Sequence, residues 1–259
     1  MVRALATAGC VAAEEEADEL LAAAARHGDL PALLARRLSG EPLAWVTGTT
    51  RFCGLELTVH PGVYVPRWQS EALARAAARA LPPTGTAVDL GTGAGSVARL
   101  LASARPDARV VATESDPRAA ACARANGVDV VVGDLFDPLA VGLAGRVDVV
   151  VGVLPYVPGD ALDQLPRDVV DHEPLLALDG GPDGLAVVAR AVADSTRWTA
   201  PGGWLGLEVG GGQFEAVTGL FEQAGYGGIE QLEDGDGDPR AVCGRLAGRT
   251  ARGGQASSR

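Results

Sequence analysis

Lysine is absent: all 22 basic side chains are arginine, set against 33 Asp and Glu, for a formal net charge of −11. A surface of that sign repels polyanions. No run of arginine supplies the basic footprint with which a protein displaces counterions from DNA or RNA, so nucleic acid is not the expected partner. Cysteine is scarce, and Cys10, Cys53, Cys122 and Cys243 form no C-x-x-C pair and have no histidine at metal-ligand spacing. No metal site is expected, and the four read as free thiols of a reducing compartment. No apolar run is long enough to cross a bilayer. The start of the chain lacks the basic and apolar segments of a secretory signal, and Glu14, Glu15 and Glu16 follow closely. The expectation is a cytoplasmic protein with no membrane partner, monomeric or weakly dimeric.

What is present is 47% hydrophobic over 259 residues, enough for one sizeable core plus an appendage. Leu20, Leu21, Leu30, Leu33, Leu34 and Leu38 recur among Ala, Glu and Arg, which predicts two short amphipathic helices between Ala12 and Leu38, broken at Gly28 to Pro31. Phe52, Leu55, Leu57 and Val59 alternate, and His60-Pro61-Gly62 reads as the turn of a β-hairpin before Val63 and Val65. After a helix from Glu71 to Leu81, apolar runs at Thr86 to Leu90, Arg109 to Thr113, Val128 to Val132, Val147 to Val151 and Trp204 to Glu208 are separated by further segments. Helices are expected among these at Ser96 to Ala104, Pro117 to Asn126 and Leu185 to Trp198. Such alternation predicts a parallel sheet covered on both faces. A helix at Gln213 to Gly225 and strands near Gly228 to Leu232 and Ala241 to Leu246 would close it as an antiparallel pair. The expected organisation is a helical N-terminal domain over 1–48, a hairpin linker over 49–66, a doubly wound α/β domain over 67–246, and a disordered Gly/Ser/Arg-rich tail over 247–259.

The sharpest local signal is Asp89-Leu90-Gly91-Thr92-Gly93-Ala94-Gly95, which leaves the first strand of the alternating unit and opens a helix at Ser96. Glycines there permit a tight turn and let a ligand approach the backbone. Glu114 ends the next strand at the spacing of a carboxylate that receives both ribose hydroxyls. Asp134, followed by Leu135, comes after the third strand, where a carboxylate accepts from an adenine amino group. A dinucleotide would bring a pyrophosphate that needs donors from the helix N-terminus. S-adenosylmethionine brings a sulfonium and an ammonium instead, and Asp89 beside the loop suits positive charge. The expected cofactor residues are therefore Asp89, Gly91, Thr92, Gly93, Gly95, Glu114, Asp134 and Leu135.

Several further segments form a set: Glu41 to Gly48, Phe52-Cys53-Gly54, Pro61 to Arg67 with Glu71, Gly133-Asp134-Leu135-Phe136, Val153-Leu154-Pro155-Tyr156, His172-Glu173-Pro174, Ala177 to Gly181 and Asp183-Gly184-Leu185. With them the chain, from Cys10 to Arg245, resembles the PrmC/HemK glutamine-amide methyltransferases, which modify the Gly-Gly-Gln loop of peptide-chain release factors. The resemblance implies a class I, Rossmann-like methyltransferase with a seven-stranded sheet, S-adenosylmethionine as cofactor, and an acceptor site around Val153, Leu154, Pro155 and Tyr156.

One departure touches the chemistry. Val153 stands where the family has the Asn of its Asn-Pro-Pro-Tyr signature, whose side chain and following carbonyl accept both hydrogens of the target amide. Valine has no acceptor. The Leu154 carbonyl still offers one, and Tyr156 either stacks on a planar group or merely covers the sheet end. The preferred expectation is thus an acceptor on a small molecule or another peptide, with release-factor glutamine as the alternative and a non-catalytic cofactor binder as a third reading. If the acceptor needed a base, His172 is the candidate near the matched site. Arg67 pairs with Glu71 or contacts substrate; Glu173 is placed with the substrate or, with His172, forms a loop-anchoring pair. Ser70 replaces a more usual Thr. Gly211-Gly212-Gln213 is similar to the family's substrate tripeptide but sits at a turn entering a helix, and is read as coincidence.

Overall fold

The computed structural model describes residues 1–248; from residue 249 the expected tail lies outside the described residues. The N-terminal region carries α1 (Val2–Thr7), α2 (Ala13–His27), α3 (Leu30–Leu38) and α4 (Leu43–Thr47). Leu5, Ala17, Leu20 and Val46 are buried together, with Leu30, Leu33 and Leu34 packed against them. The break between α2 and α3 is narrower than expected. Asp29 caps α3 by accepting from the Ala32 N–H at 3.1 Å, and Pro31 falls inside its first turn, where a missing N–H costs nothing. The short helices α1 and α4 were not expected.

The hairpin exists, but its turn is elsewhere. β1 (Thr49–Phe52) pairs with β2 (Leu55–Thr58) across Cys53 and Gly54, both at positive φ (50° and 80°), the conformation that matches strand twist in a two-residue turn. His60-Pro61-Gly62 also turns the chain, with Val63 N–H on the His60 carbonyl at 3.1 Å, but no strand follows. Val59, Val63 and Val65 instead pack with Trp45, whose indole N–H donates to the Val63 carbonyl at 2.9 Å. Asn126 fastens the hairpin to the rest: its amide bonds both backbone groups of Thr58 and the Ala94 carbonyl, each at 2.8 Å.

The main sheet has seven strands in the order β5-β4-β3-β6-β7-β9-β8, formed by β3 (Thr86–Leu90), β4 (Arg109–Glu114), β5 (Val130–Val132), β6 (Val147–Gly152), β7 (Thr199–Glu208), β8 (Tyr226–Glu233) and β9 (Pro239–Leu246). The first five in this order run parallel, and β9 is antiparallel to both β7 and β8. Helices α5 (Glu71–Ala80), α6 (Ser96–Ala104), α7 (Pro117–Ala125), α8 (Arg167–Val170), α9 (Ala186–Trp198) and α10 (Phe214–Gln223) complete the chain. Strand residues alternate between two apolar layers. Ala87, Val149 and Val151 bury against Leu73, Ala77, Val97 and Leu101 of α5 and α6, whereas Val88, Leu90 and Val150 bury against Val188, Val192, Val217 and Phe221 of α9 and α10. β5 starts two residues later than expected because the Val128 N–H is spent on the Ala123 carbonyl at the end of α7. β7 starts five residues earlier, its first part joined to β6 through an irregular register. From β3 the chain winds outward through β4 to β5, then returns to place β6 on the other side of β3. This reversal opens a crevice at the carboxyl ends of β3 and β6.

Candidate active site

That crevice holds a cavity of about 560 Å³, and its floor is the glycine loop. Gly91, Gly93 and Gly95 all have positive φ (60°, 57° and 87°). A Cβ on Gly93 would meet nothing within 4 Å, so the backbone is bare toward the cavity, whereas one on Gly95 would lie 2.8 Å from Val128 Cγ2. Gly93 opens space for a ligand, Gly91 makes room for Leu154, whose Cδ2 would lie 3.1 Å from a Cβ there, and Gly95 lets α6 sit close to its neighbours.

Asp89 is buried (1% exposed), and its carboxylate accepts from the Thr92 hydroxyl at 2.6 Å and the Ala98 N–H at 3.0 Å. It ties the loop to α6 and borders a small recess beside the main cavity rather than the cavity itself. Burial pushes its acid up to about 7, with the two hydrogen bonds opposing. Glu114 does line the cavity, holding the Gly93 N–H at 2.8 Å and the Asp116 N–H at 2.9 Å. Asp134 and Leu135 line it too, and Asp134 is ion-paired with Arg190.

Val153, Leu154, Pro155 and Tyr156 form the opposite wall, following β6. No hydrogen bond among the described residues ends on the Leu154 carbonyl. The Tyr156 carbonyl is held by Gln213 Nε2 at 2.9 Å. Gly184 explains its place in the Asp-Gly-Leu segment, because any side chain there would collide with that carbonyl. Burial, then the nearby Glu208, pushes the Tyr156 hydroxyl upward, and burial does the same to Tyr64, so both remain protonated donors. Arg67 lies over the Tyr64 ring, 5.2 Å from its centre, and lines the cavity.

Arg67 pairs with Glu173, not with Glu71, which is occupied by the Cys53 N–H at 2.6 Å and Arg75 at 2.9 Å. Glu173 also receives the Val65 N–H at 3.2 Å, so it anchors the segment that carries Arg67 and does not itself line the cavity. His172 is likewise outside the cavity: it packs edge-on against Trp45, ring centres 6.2 Å apart, toward the N-terminal helices. It is not placed to serve as a base. Two cavity or loop groups escaped the sequence reading. Glu208 was seen only as a strand end, and Gln213 only as a helix start and part of a chance tripeptide.

A bare glycine backbone, a carboxylate at the end of β4, a second after β5 and apolar walls suit an adenosine-bearing, positively charged ligand; nothing among the described residues forms a metal cluster. Residues 55–151 match the family described as Methyltransferase small domain. A methyltransferase from Pyrococcus furiosus, 19% identical, superposes with a TM-score of 0.53 over 83% of this chain and 98% of its own, a likeness of fold alone. The protein is an S-adenosylmethionine-dependent methyltransferase. The protein named Release factor glutamine methyltransferase in Burkholderia pseudomallei is 39% identical over 246 residues, 90% of this chain and 85% of that one. Its namesake in Geobacter sulfurreducens is 39% identical over 220 residues, 83% and 76% of the two chains. The chain belongs to the PrmC/HemK family of release factor glutamine methyltransferases.

Proposed function

We propose that this enzyme transfers a methyl group to the side-chain amide nitrogen of a glutamine in a peptide-chain release factor, in the Gly-Gly-Gln loop to which the resemblance points. The observation that carries the reading is the 39% identity to proteins of that name across up to 90% of the chain. It weighs against the expectation that Val153 redirects the enzyme to a different acceptor. The reading puts the protein in the cytoplasm, in keeping with four unpaired cysteines and with no helix among the described residues long and apolar enough to cross a membrane.

S-adenosylmethionine supplies an electrophilic methyl group. In this reading Glu114 would receive the ribose hydroxyls, the Gly91 and Gly93 backbone would lie under the cofactor, and Asp134 and Leu135 would meet the adenine; all of them line the cavity. Asp89 acts by holding the loop in shape through Thr92 and Ala98. On the acceptor side, the Leu154 carbonyl receives one amide hydrogen and Tyr156 covers the amide plane. Holding the amide so that its nitrogen faces the methyl group is orientation catalysis, in which fixed geometry replaces a costly encounter. The apolar wall of Val153, Leu154 and Pro155 excludes water, which favours loss of the cofactor's charge during transfer. Incubating the protein and labelled cofactor with a purified release factor, beside a pool of small metabolites, tests the choice: label is expected in the release factor.

A further inference from the structure

Glu208 ends β7 at the carboxyl edge of the sheet, 1% exposed, and its Oε2 is buried without a hydrogen-bond partner. Burying an unpaired carboxylate is costly, and such groups persist where function needs them. The neighbouring polar groups relieve it only in part. Ser70 Oγ is itself unpartnered; Arg240 is committed to Asp234 at 2.6 Å and Asp238 at 3.2 Å; Arg67 is committed to Glu173. Burial pushes the Glu208 acid upward, with the Ser70 and Tyr156 hydroxyls and Arg240 pulling it back.

Sheet register places this carboxylate at the acceptor wall. β6 and β7 run parallel with Gly152 opposite Leu207, so the next residues, Val153 just past β6 and Glu208 at the end of β7, follow side by side. Both line the large cavity, with Leu154 and Tyr156. A primary amide has two N–H groups, and Val153 brings no polar atom to meet either.

We propose that Glu208 receives one hydrogen of the substrate's primary amide and takes that proton as the nitrogen is methylated, the Leu154 carbonyl receiving the other hydrogen. The inference rests on the glutamine reading above. The amide nitrogen forms its bond to the methyl carbon while the carbon–sulfur bond breaks, its electron pair staying on sulfur. The N–H proton passes along its hydrogen bond to the carboxylate. A positive sulfonium and a negative carboxylate thus disappear together, leaving a thioether, an N-methyl amide and a neutral acid, a loss of charge that the apolar wall of Val153, Leu154 and Pro155 favours.

The test uses Glu208→Gln and Glu208→Leu, each alone and combined with Val153→Asn. The readouts are melting temperature, calorimetric binding of a Gly-Gly-Gln peptide in the presence of S-adenosylhomocysteine, and single-turnover transfer against pH. Glu208→Leu is expected to melt no lower than the unaltered protein, since it removes a buried carboxylate whose Oε2 has no hydrogen-bond partner. It should bind the peptide about tenfold more weakly and transfer about a hundredfold more slowly. Adding Val153→Asn should restore about tenfold of that transfer, because an acceptor returns beside the lost one. Glu208→Gln keeps an acceptor but cannot take the proton. It should bind the peptide within about threefold of the unaltered protein and lose the rise in rate with pH that ionisation of Glu208 gives. Unchanged binding and transfer in Glu208→Leu overturns the assignment alone. So does a loss that comes with a lower melting temperature and is not restored by Val153→Asn. Failure of the unaltered protein to bind or methylate the peptide overturns the glutamine reading, and this inference with it.

Discussion

The side-chain amide of Gln213 donates to the Tyr156 carbonyl at 2.9 Å and to the Asp183 carbonyl at 3.1 Å, while its oxygen receives the Gly210 N–H at 2.7 Å. One side chain, 8% exposed, therefore joins the loops after β6, before α9 and after β7, and fixes the backbone that presents Tyr156.

Replacing Gln213 by Leu leaves three part-buried backbone groups without their side-chain partner. Urea unfolding should show a loss of about 1–3 kcal/mol. Turnover should fall at least about tenfold as Tyr156 loses its fixed position, with cofactor affinity unchanged because the glycine loop is untouched. Equal loss of cofactor affinity would show that the loop system is not separable in this way.

The glycines of the cofactor loop should part company when changed to alanine. Gly95→Ala adds a clash with Val128 and Ala123 to a positive φ, and is expected to lower stability by about 2 kcal/mol or more. Gly93→Ala meets open space, so its cost is the φ strain alone, about 1 kcal/mol. Calorimetry should nevertheless show the larger affinity defect, relative to its stability loss, in Gly93→Ala, whose new methyl group faces the cavity.

Asp89 makes the stability of the cofactor-free protein depend on pH. Its folded pKa, about 7, lies above the ordinary carboxylate value of 3.8. Folding therefore favours the protonated form. The contribution is full below the unfolded value, declines as pH rises between the two, and is lost as pH passes the folded value. Urea titrations of the unaltered protein and Asp89→Asn at pH 4, 5, 6, 7 and 8 should diverge in favour of Asn up to about pH 7 and then run parallel. Parallel curves throughout would mean that Asp89 titrates normally.

His172→Ala should transfer methyl groups within about threefold of the unaltered rate, with the same pH profile, because His172 packs on Trp45 and not in the cavity. A lost limb of the pH profile would return the histidine to the chemistry.

Much of this was legible because local and global preferences agree in the parallel sheet. Thr86–Leu90 and Ser96–Ala104 have the bounds their periodicity predicts, the first as a short apolar run buried in the sheet and the second with Val97, Ala98 and Leu101 on its buried face. The hairpin was misplaced because Pro61-Gly62 is the more conspicuous turn signal, while Cys53 enters positive φ only under the pull of the two strands. In the site, Glu114 and the glycines carry a spacing that can be read along the chain. Glu208 and Gln213 do not: their roles come from strands and loops that meet only after folding, 55 and 57 residues away from Val153 and Tyr156 in sequence. His172 shows the converse, a matched segment whose histidine points to the N-terminal helices.

The most direct test of the central claim is mass spectrometry of the Gly-Gly-Gln peptide, cut from a purified release factor after incubation with this protein and S-adenosylmethionine. A release factor with that glutamine changed to glutamate serves as the control. One added methyl group on the glutamine amide nitrogen, absent from the control, is the predicted result. An unmodified glutamine from protein that has demonstrably bound its cofactor would contradict the account.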